Sequence, residues 1–183
     1  MKVQLTTKET MLLKDQKSQE ELCVQKYNSY SNLAQDPQLK QLFSSLGQKE
    51  QEHLNSINQI LGGQIPAMGS QSGMQTQAGS GQSAAMGKLM QAISNSAQSS
   101  AGASGSSGSS SSQGSQSGML SDKDLCSDML ATEKFVSSAY DTVIFECTDP
   151  NIRQVLNHIQ KEEQEHGEQI FNYMQSHGMY NVQ

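Results

Sequence analysis

Apolar residues recur at helical spacing along two stretches of the chain, and each stretch is broken once by Asp-Pro. In the first stretch Leu13, Glu20, Tyr27 and Ala34 form a heptad series with Cys23, Val24 and Tyr30 beside it, an apolar seam with one carboxylate set into it. Thr6 followed by Glu9 predicts a capping box at its start. Asp36-Pro37 then ends one helix and begins the next, since Asp caps well and Pro suits the first helical position. The next seam runs through Leu39, Leu42, Phe43, Leu46, His53, Leu54, Ile57, Ile60 and Leu61, and Gly62-Gly63 closes it. Gly47, inside that helix, suggests close packing.

The second stretch repeats this plan. Ser121 and Asp124 open a helix whose seam is Cys126, Met129, Leu130, Glu133, Val136, Tyr140, Val143, Ile144 and Cys147. Asp149-Pro150 breaks it. Ile152, Val155, Leu156, Ile159, Glu163, His166, Ile170 and Met174 continue to a stop at Gly178. Between the stretches, residues 62–119 hold 12 of the 15 glycines and one charged residue, Lys88. Such a composition buries too little apolar surface to offset chain entropy, which predicts a flexible polar linker. Residues 84–97, with Met86, Leu89, Met90 and Ile93, could form a short helix, and a transient turn is the preferred reading. The expected organisation is a flexible tail at 1–6, a helical hairpin at 7–61, the linker at 62–119 and a second hairpin at 120–178, the hairpins forming one all-α domain.

The two stretches are a duplication offset by 113 residues. Glu20 maps to Glu133, Tyr27 to Tyr140, Asp36-Pro37 to Asp149-Pro150, Glu50 to Glu163 and His53 to His166. A Glu-x-x-His on a helix puts both side chains on one face. One such motif is weak evidence, because both residue types are common on solvated faces. Six residues recurring in register on apolar seams are stronger. One Glu from each of two helices and a Glu-x-x-His from each of two others is the ligand set of a dinuclear carboxylate centre in a four-helix bundle. That makes Glu20, Glu50, His53, Glu133, Glu163 and His166 the candidate metal ligands. Four carboxylates nearly neutralise two divalent ions, which makes the cluster tolerable in a core.

The spacing supports a common level. Glu20 precedes Asp36 by 16 residues and Glu50 follows it by 14. At about 1.5 Å per residue both lie roughly 21–24 Å from the turn. The second hairpin has the same arithmetic, and a long crossover must join the hairpins.

Charge and composition narrow the rest. A net charge of -6 offers no basic footprint for nucleic acid. There is no membrane-spanning apolar run, and residues 1–16 lack the apolar core of a secretory signal, so synthesis in the cytoplasm is expected. The odd number of cysteines, Cys23, Cys126 and Cys147, argues against an obligatory disulfide framework and leaves crosslinking between chains open. Tyr27 and Tyr140 read as core residues with hydrogen-bonded hydroxyls, and Cys23 as an apolar filler. Glu52, Glu162 and Glu165 read as a solvated face, and His158 and His177 fall outside the ligand pattern.

Both halves resemble the coat F family of bacterial spore coat proteins, over roughly residues 8–62 and 120–178. The residues that carry the resemblance best are Leu130-Ala131-Thr132-Glu133-Lys134, the Asp149-Pro150 break and Glu163-Gln164-Glu165-His166. The resemblance implies a ferritin-like antiparallel bundle, a place in the spore coat, and other coat proteins or further copies of the chain as partners. The ligand pattern is also similar to that of rubrerythrins and manganese catalases. Those families imply Glu50 and Glu163 as bridges and iron or manganese as the two divalent ions. Two functions follow: a coat component that retains a metal centre, or an oxidoreductase acting on peroxide, oxygen or ferrous iron. A duplicated site that has lost its metal and persists as a buried hydrogen-bond network is the third possibility. It would force four buried carboxylates to protonate or repel.

Overall fold

The computed structural model describes residues 3–67 and 120–180. Four helices run in them: α1 (Thr7–Leu33), α2 (Pro37–Leu61), α3 (Asp122–Glu146) and α4 (Pro150–Ser176), with no strand among the described residues. The local chemistry at their ends is that expected of the sequence. Thr6 and Glu9 close a reciprocal capping box on α1, and Ser121 and Asp124 close another on α3. Asp36 and Asp149 cap the two helices that begin with proline. After α4 the chain turns at Gly178, whose φ of 66° is costly for any residue with a Cβ.

The helices pair as two hairpins, α1 with α2 and α3 with α4, and the hairpins meet through α1 against α3 and α2 against α4. Contacts fix the directions. Lys8 near the start of α1 pairs with Glu146 at the end of α3 (2.6 Å), while the backbone N–H groups of Gln35 and Asp36 donate to Asp122 at the start of α3 (2.8 and 2.9 Å). His177, after α4, lies 3.4 Å from Asp36, before α2. Neighbouring helices are therefore antiparallel throughout. The all-α, two-hairpin bundle expected from the seams is the observed fold.

This arrangement places the end of α2 and the start of α3 at opposite ends of the bundle. A 25-residue helix is about 37 Å long, which sets the separation of these two helix ends. The linker expected at 62–119 and the turn considered within it lie, from residue 68 onward, outside the described residues.

The ends of the bundle are tied by carboxylates that accept backbone hydrogen bonds. Glu9 accepts from Thr148 N–H (2.7 Å) while holding its own cap, and Asp122 does the same for the turn at residues 35–36. The offset of 113 relates the two devices, Glu9 to Asp122 and Gln35 to Thr148. Burial works against the charge on Glu9, but the hydrogen bonds from Thr148 and Thr6 hold its pKa down at about 2. Residues 3–6, expected to belong to a flexible tail, are instead anchored. Val3 N–H donates to Gly63 C=O (3.0 Å), and Val3 and Leu5 pack on the core.

The core is divided. One apolar cluster, including Leu13, Ile57, Ile60, Val143 and Leu156, fills the end at the start of α1. The other, including Leu39, Phe43, Leu46, Met129 and Ile170, fills the opposite end. Both are built mainly from the residues predicted to face inward; Leu125 and Tyr173, which join the second cluster, were not among them. Val24, Leu42, Leu54 and Leu61 sit at the edge of the seams and are only partly buried. The three cysteines are free and buried, and burial raises all three thiols, Cys126 to about 12 and Cys147 to about 11. Thiols held so far from the thiolate are poor nucleophiles, which disfavours crosslinking through them.

Gly47 packs closely against α1. A Cβ there would stand 3.0 Å from Tyr27 Cβ, which is fixed to the backbone and cannot yield. Gly167 has room, with Leu130 and Glu133 at 3.7 and 3.8 Å. Alanine improves helix propensity by about 1 kcal/mol at either site, whereas overpacking at position 47 costs about 1–3 kcal/mol. Urea denaturation should therefore show Gly47→Ala destabilised and Gly167→Ala neutral to stabilised. Equal effects would mean that the α1–α2 contact is not tight.

Candidate metal centre

Between the two apolar clusters lies a polar waist. Glu20, Glu50, His53, Glu133, Glu163 and His166 all point into it and are at most 3% exposed. The seams dictate this. Each residue occupies an inward position on its helix, and the similar distances from the Asp-Pro turns bring the four helices' contributions to one height.

The contacts within the waist obey the duplication. His53 Nδ1 lies 2.8 Å from Glu163 Oε1, and His166 Nδ1 lies 2.7 Å from Glu50 Oε1. Tyr27 donates its hydroxyl to Glu133 Oε1, and Tyr140 donates to Glu20 Oε1. Each of these four contacts has a partner related by exchange of the halves, so the heart of the waist has pseudo-twofold symmetry. The imidazoles stack with centroids 5.4 Å apart at 16°. The core reading of the two tyrosines holds, and each serves a carboxylate of the opposite hairpin.

Two overlapping groups can be drawn in which one ligand atom per residue lies within 4.8 Å of all the others: Glu20, Glu50, His53 and Glu163, and Glu50, Glu133, Glu163 and His166. Each group holds one histidine and three carboxylates. Glu50 and Glu163 belong to both, as residues between two ions would.

Electrostatics of the waist are strained without a cation. Burial, then the charge of Glu50, raises Glu20 to about 8. Burial likewise raises Glu133, and raises Glu163 strongly. Glu50 is the exception: burial opposes its charge, but the two imidazoles hold it at about 2. Several buried atoms lack any hydrogen-bond partner, namely Glu20 Oε2, Glu50 Oε2, Glu133 Oε2 and both oxygens of Glu163. His53 Nδ1 also makes no aligned hydrogen bond, despite its short contact with Glu163. Buried polar atoms are rarely left so. Five orphaned carboxylate oxygens and an imidazole nitrogen converging on one space suit a cation, so the donor set fits a metal centre.

One residue read as solvent-facing is not. Glu162 is part-buried and accepts from His53 Nε2 at 3.0 Å, with His158 Nε2 at 3.5 Å. The only sequence signal was its place next to Glu163, and helical spacing alone turns such a neighbour toward the groove between helices. Glu52 and Glu165 are exposed, as expected. His158 is exposed and His177 lies at the bundle end, both away from the waist.

A cleft of about 530 Å³ opens between α3 and α4. Glu133 and Glu163 form part of its lining, and Lys134, Asp141, Gln160 and Gly167 contribute to its walls. Gly167 stands where the first hairpin has the partly buried Leu54, so the cleft exploits a small residue that the other half lacks.

The fold and waist define a class: two duplicated helical hairpins enclosing a buried carboxylate–histidine cluster. Within it, residues 121–183, which contain the second hairpin, match the family model described as the Coat F domain. The match covers α3, α4 and the residues after them; the first hairpin repeats its site residues at the constant offset. Among curated proteins none matches the chain. No helix among the described residues is long and apolar enough to cross a membrane.

Proposed function

We propose that this protein is a component of the bacterial spore coat whose bundle holds two divalent metal ions, iron or manganese, in the waist. The Coat F match supports the location. The observation that carries the metal reading is the convergence of the six duplicated residues with unpartnered buried oxygens. Glu20, His53 and Glu133, His166 would each serve one ion, and Glu50 and Glu163 would bridge. Bound ions would supply Lewis acidity and, for iron or manganese, redox capacity toward an oxygen species. The chain's part is to hold the carboxylates in register, to exclude bulk water with the two apolar clusters, and to orient Glu20 and Glu133 through the tyrosines.

A catalytic role is favoured by one feature, the cleft that reaches Glu133 and Glu163. It would let a molecule of peroxide or oxygen size approach the centre from the α3–α4 side. Other coat proteins, or further copies of this chain, are the proposed partners.

Metal analysis of protein made without a polyhistidine tag, after reconstitution with iron or manganese, should give about two ions per chain. Less than about one would overturn the dinuclear reading. Extracts of mature spores should contain the protein. Its presence only in vegetative cells, together with rapid peroxide consumption by the loaded form, would replace the coat reading with that of an oxidoreductase.

A further inference from the structure

The pseudo-twofold symmetry of the waist is broken at the outer nitrogens of its two histidines. His53 donates its outer nitrogen, Nε2, to Glu162 at 3.0 Å while its Nδ1 faces the carboxylates. The position related to Glu162 by the offset of 113 is Lys49. Lys49 pairs with Glu52 at 2.8 Å on its own helix, and an ammonium has no lone pair to accept an imidazole N–H. Among the described residues none hydrogen-bonds to His166 Nε2, whose ring is tied only through Nδ1 to Glu50. Two histidines in equivalent places thus differ in support.

From this we infer that Glu162 is a positioning residue for His53 and makes the two ion sites unequal, the ion at His53 being held more tightly than the ion at His166. This rests on the metal reading above. The physical reason is that a carboxylate on the far nitrogen fixes the Nε2–H tautomer, leaves the Nδ1 lone pair facing the cluster, and makes that nitrogen a better donor to a cation. The loss of such an acceptor typically weakens metal binding by about 10–100-fold. Glu162 is part of no ligand group itself, and it approaches His53 from outside the waist.

The test uses the full chain titrated with zinc, which is diamagnetic and allows histidine nitrogen NMR. Wild-type protein should bind two ions in two resolvable steps. Glu162→Ala should weaken the tighter step by about 10–100-fold and leave the other nearly unchanged. The protected His53 Nε2–H signal should disappear in the same variant. Glu162→Gln keeps an acceptor oxygen without the charge, so it should retain the signal and recover part of the affinity. A merely structural role would lower the melting temperature without moving one step relative to the other. Conversely, Lys49→Glu should strengthen the weaker step and bring out a second protected N–H. Two steps of equal affinity, or equal weakening of both in Glu162→Ala, would overturn the inference while leaving the dinuclear centre standing. Failure of the wild type to take up zinc, iron or manganese would remove the centre itself, and the inference with it.

Discussion

Stripped of metal by a chelator, the protein should lose roughly 10 °C of melting temperature between pH 5.5 and 8.5, while the loaded protein should gain stability over the same range. The sign follows from the waist. Glu20 rises from 4.5 to about 8, and Glu133 and Glu163 also rise, all first through burial. A carboxyl with a raised pKa binds more protons folded than unfolded. Its stabilising contribution is complete below 4.5 and is lost as pH climbs through the folded value. His53 acts in the same direction. Burial opposes its charge, but contacts with Glu162 and Glu163 raise it well above 6.5, and that contribution too fades as pH rises. Glu50 and Glu9, both held at about 2, contribute fully above 4.5 and change nothing in this window. A tenfold difference in proton affinity between folded and unfolded chain is worth about 1.4 kcal/mol, so even partial titration of these groups amounts to several kcal/mol.

Divalent ions reverse the trend because they take the place of the protons. Metal competes with protons for the same oxygens, so its affinity increases with pH, and a ligand that binds only the folded state stabilises by mass action. The difference in melting temperature between loaded and chelated protein should therefore widen steadily from pH 5.5 to 8.5, by calorimetry or circular dichroism. A chelated protein whose melting temperature is flat across this range would show that the waist carboxylates do not hold extra protons when folded.

Much of this was legible in the chain. Period, caps and the two Asp-Pro breaks fix four helices, because each is a local signal whose physics does not depend on the partner helix. The six waist residues were legible for another reason. Duplication turns one weak Glu-x-x-His into a pattern in register, and similar distances from the turns convert register into height. Glu162 was not legible. A single carboxylate next to a ligand has no periodic signature, and whether it meets His53 depends on the crossing of α2 and α4. The anchoring of Val3 and Leu5 was hidden similarly, since Val3 uses a backbone hydrogen bond to Gly63 that composition cannot announce. The double duty of Glu9, capping its own helix and holding Thr148, is visible only when the hairpins are together.

A variant lacking two of the four waist carboxylates should be more stable than the chelated wild type and bind metal far more weakly. The substitutions are Glu20→Leu with Tyr140→Phe, and Glu133→Leu with Tyr27→Phe. Each pair removes a carboxylate together with the hydroxyl that donates to it, so no hydroxyl is left without its acceptor. Replacing a buried polar group and its partner by apolar side chains of similar size is commonly neutral to stabilising, by about 1–4 kcal/mol. Here the gain should lie toward the upper end, because Glu20 Oε2 and Glu133 Oε2 have no partner to lose. It should also be larger at pH 8 than at pH 5, where protonation already relieves the wild type. Glu20→Leu alone is the control: it strands the wholly buried Tyr140 hydroxyl and should forfeit about 1–3 kcal/mol of the gain. Urea denaturation of the chelated proteins at both pH values measures all of this. A quadruple variant less stable than the chelated wild type would identify the waist as a hydrogen-bond network that holds the fold by itself, which is what a centre that had lost its metal would leave behind. A more stable one with weakened metal binding would mean that the bundle carries Glu20 and Glu133 at a cost in stability that only bound metal offsets.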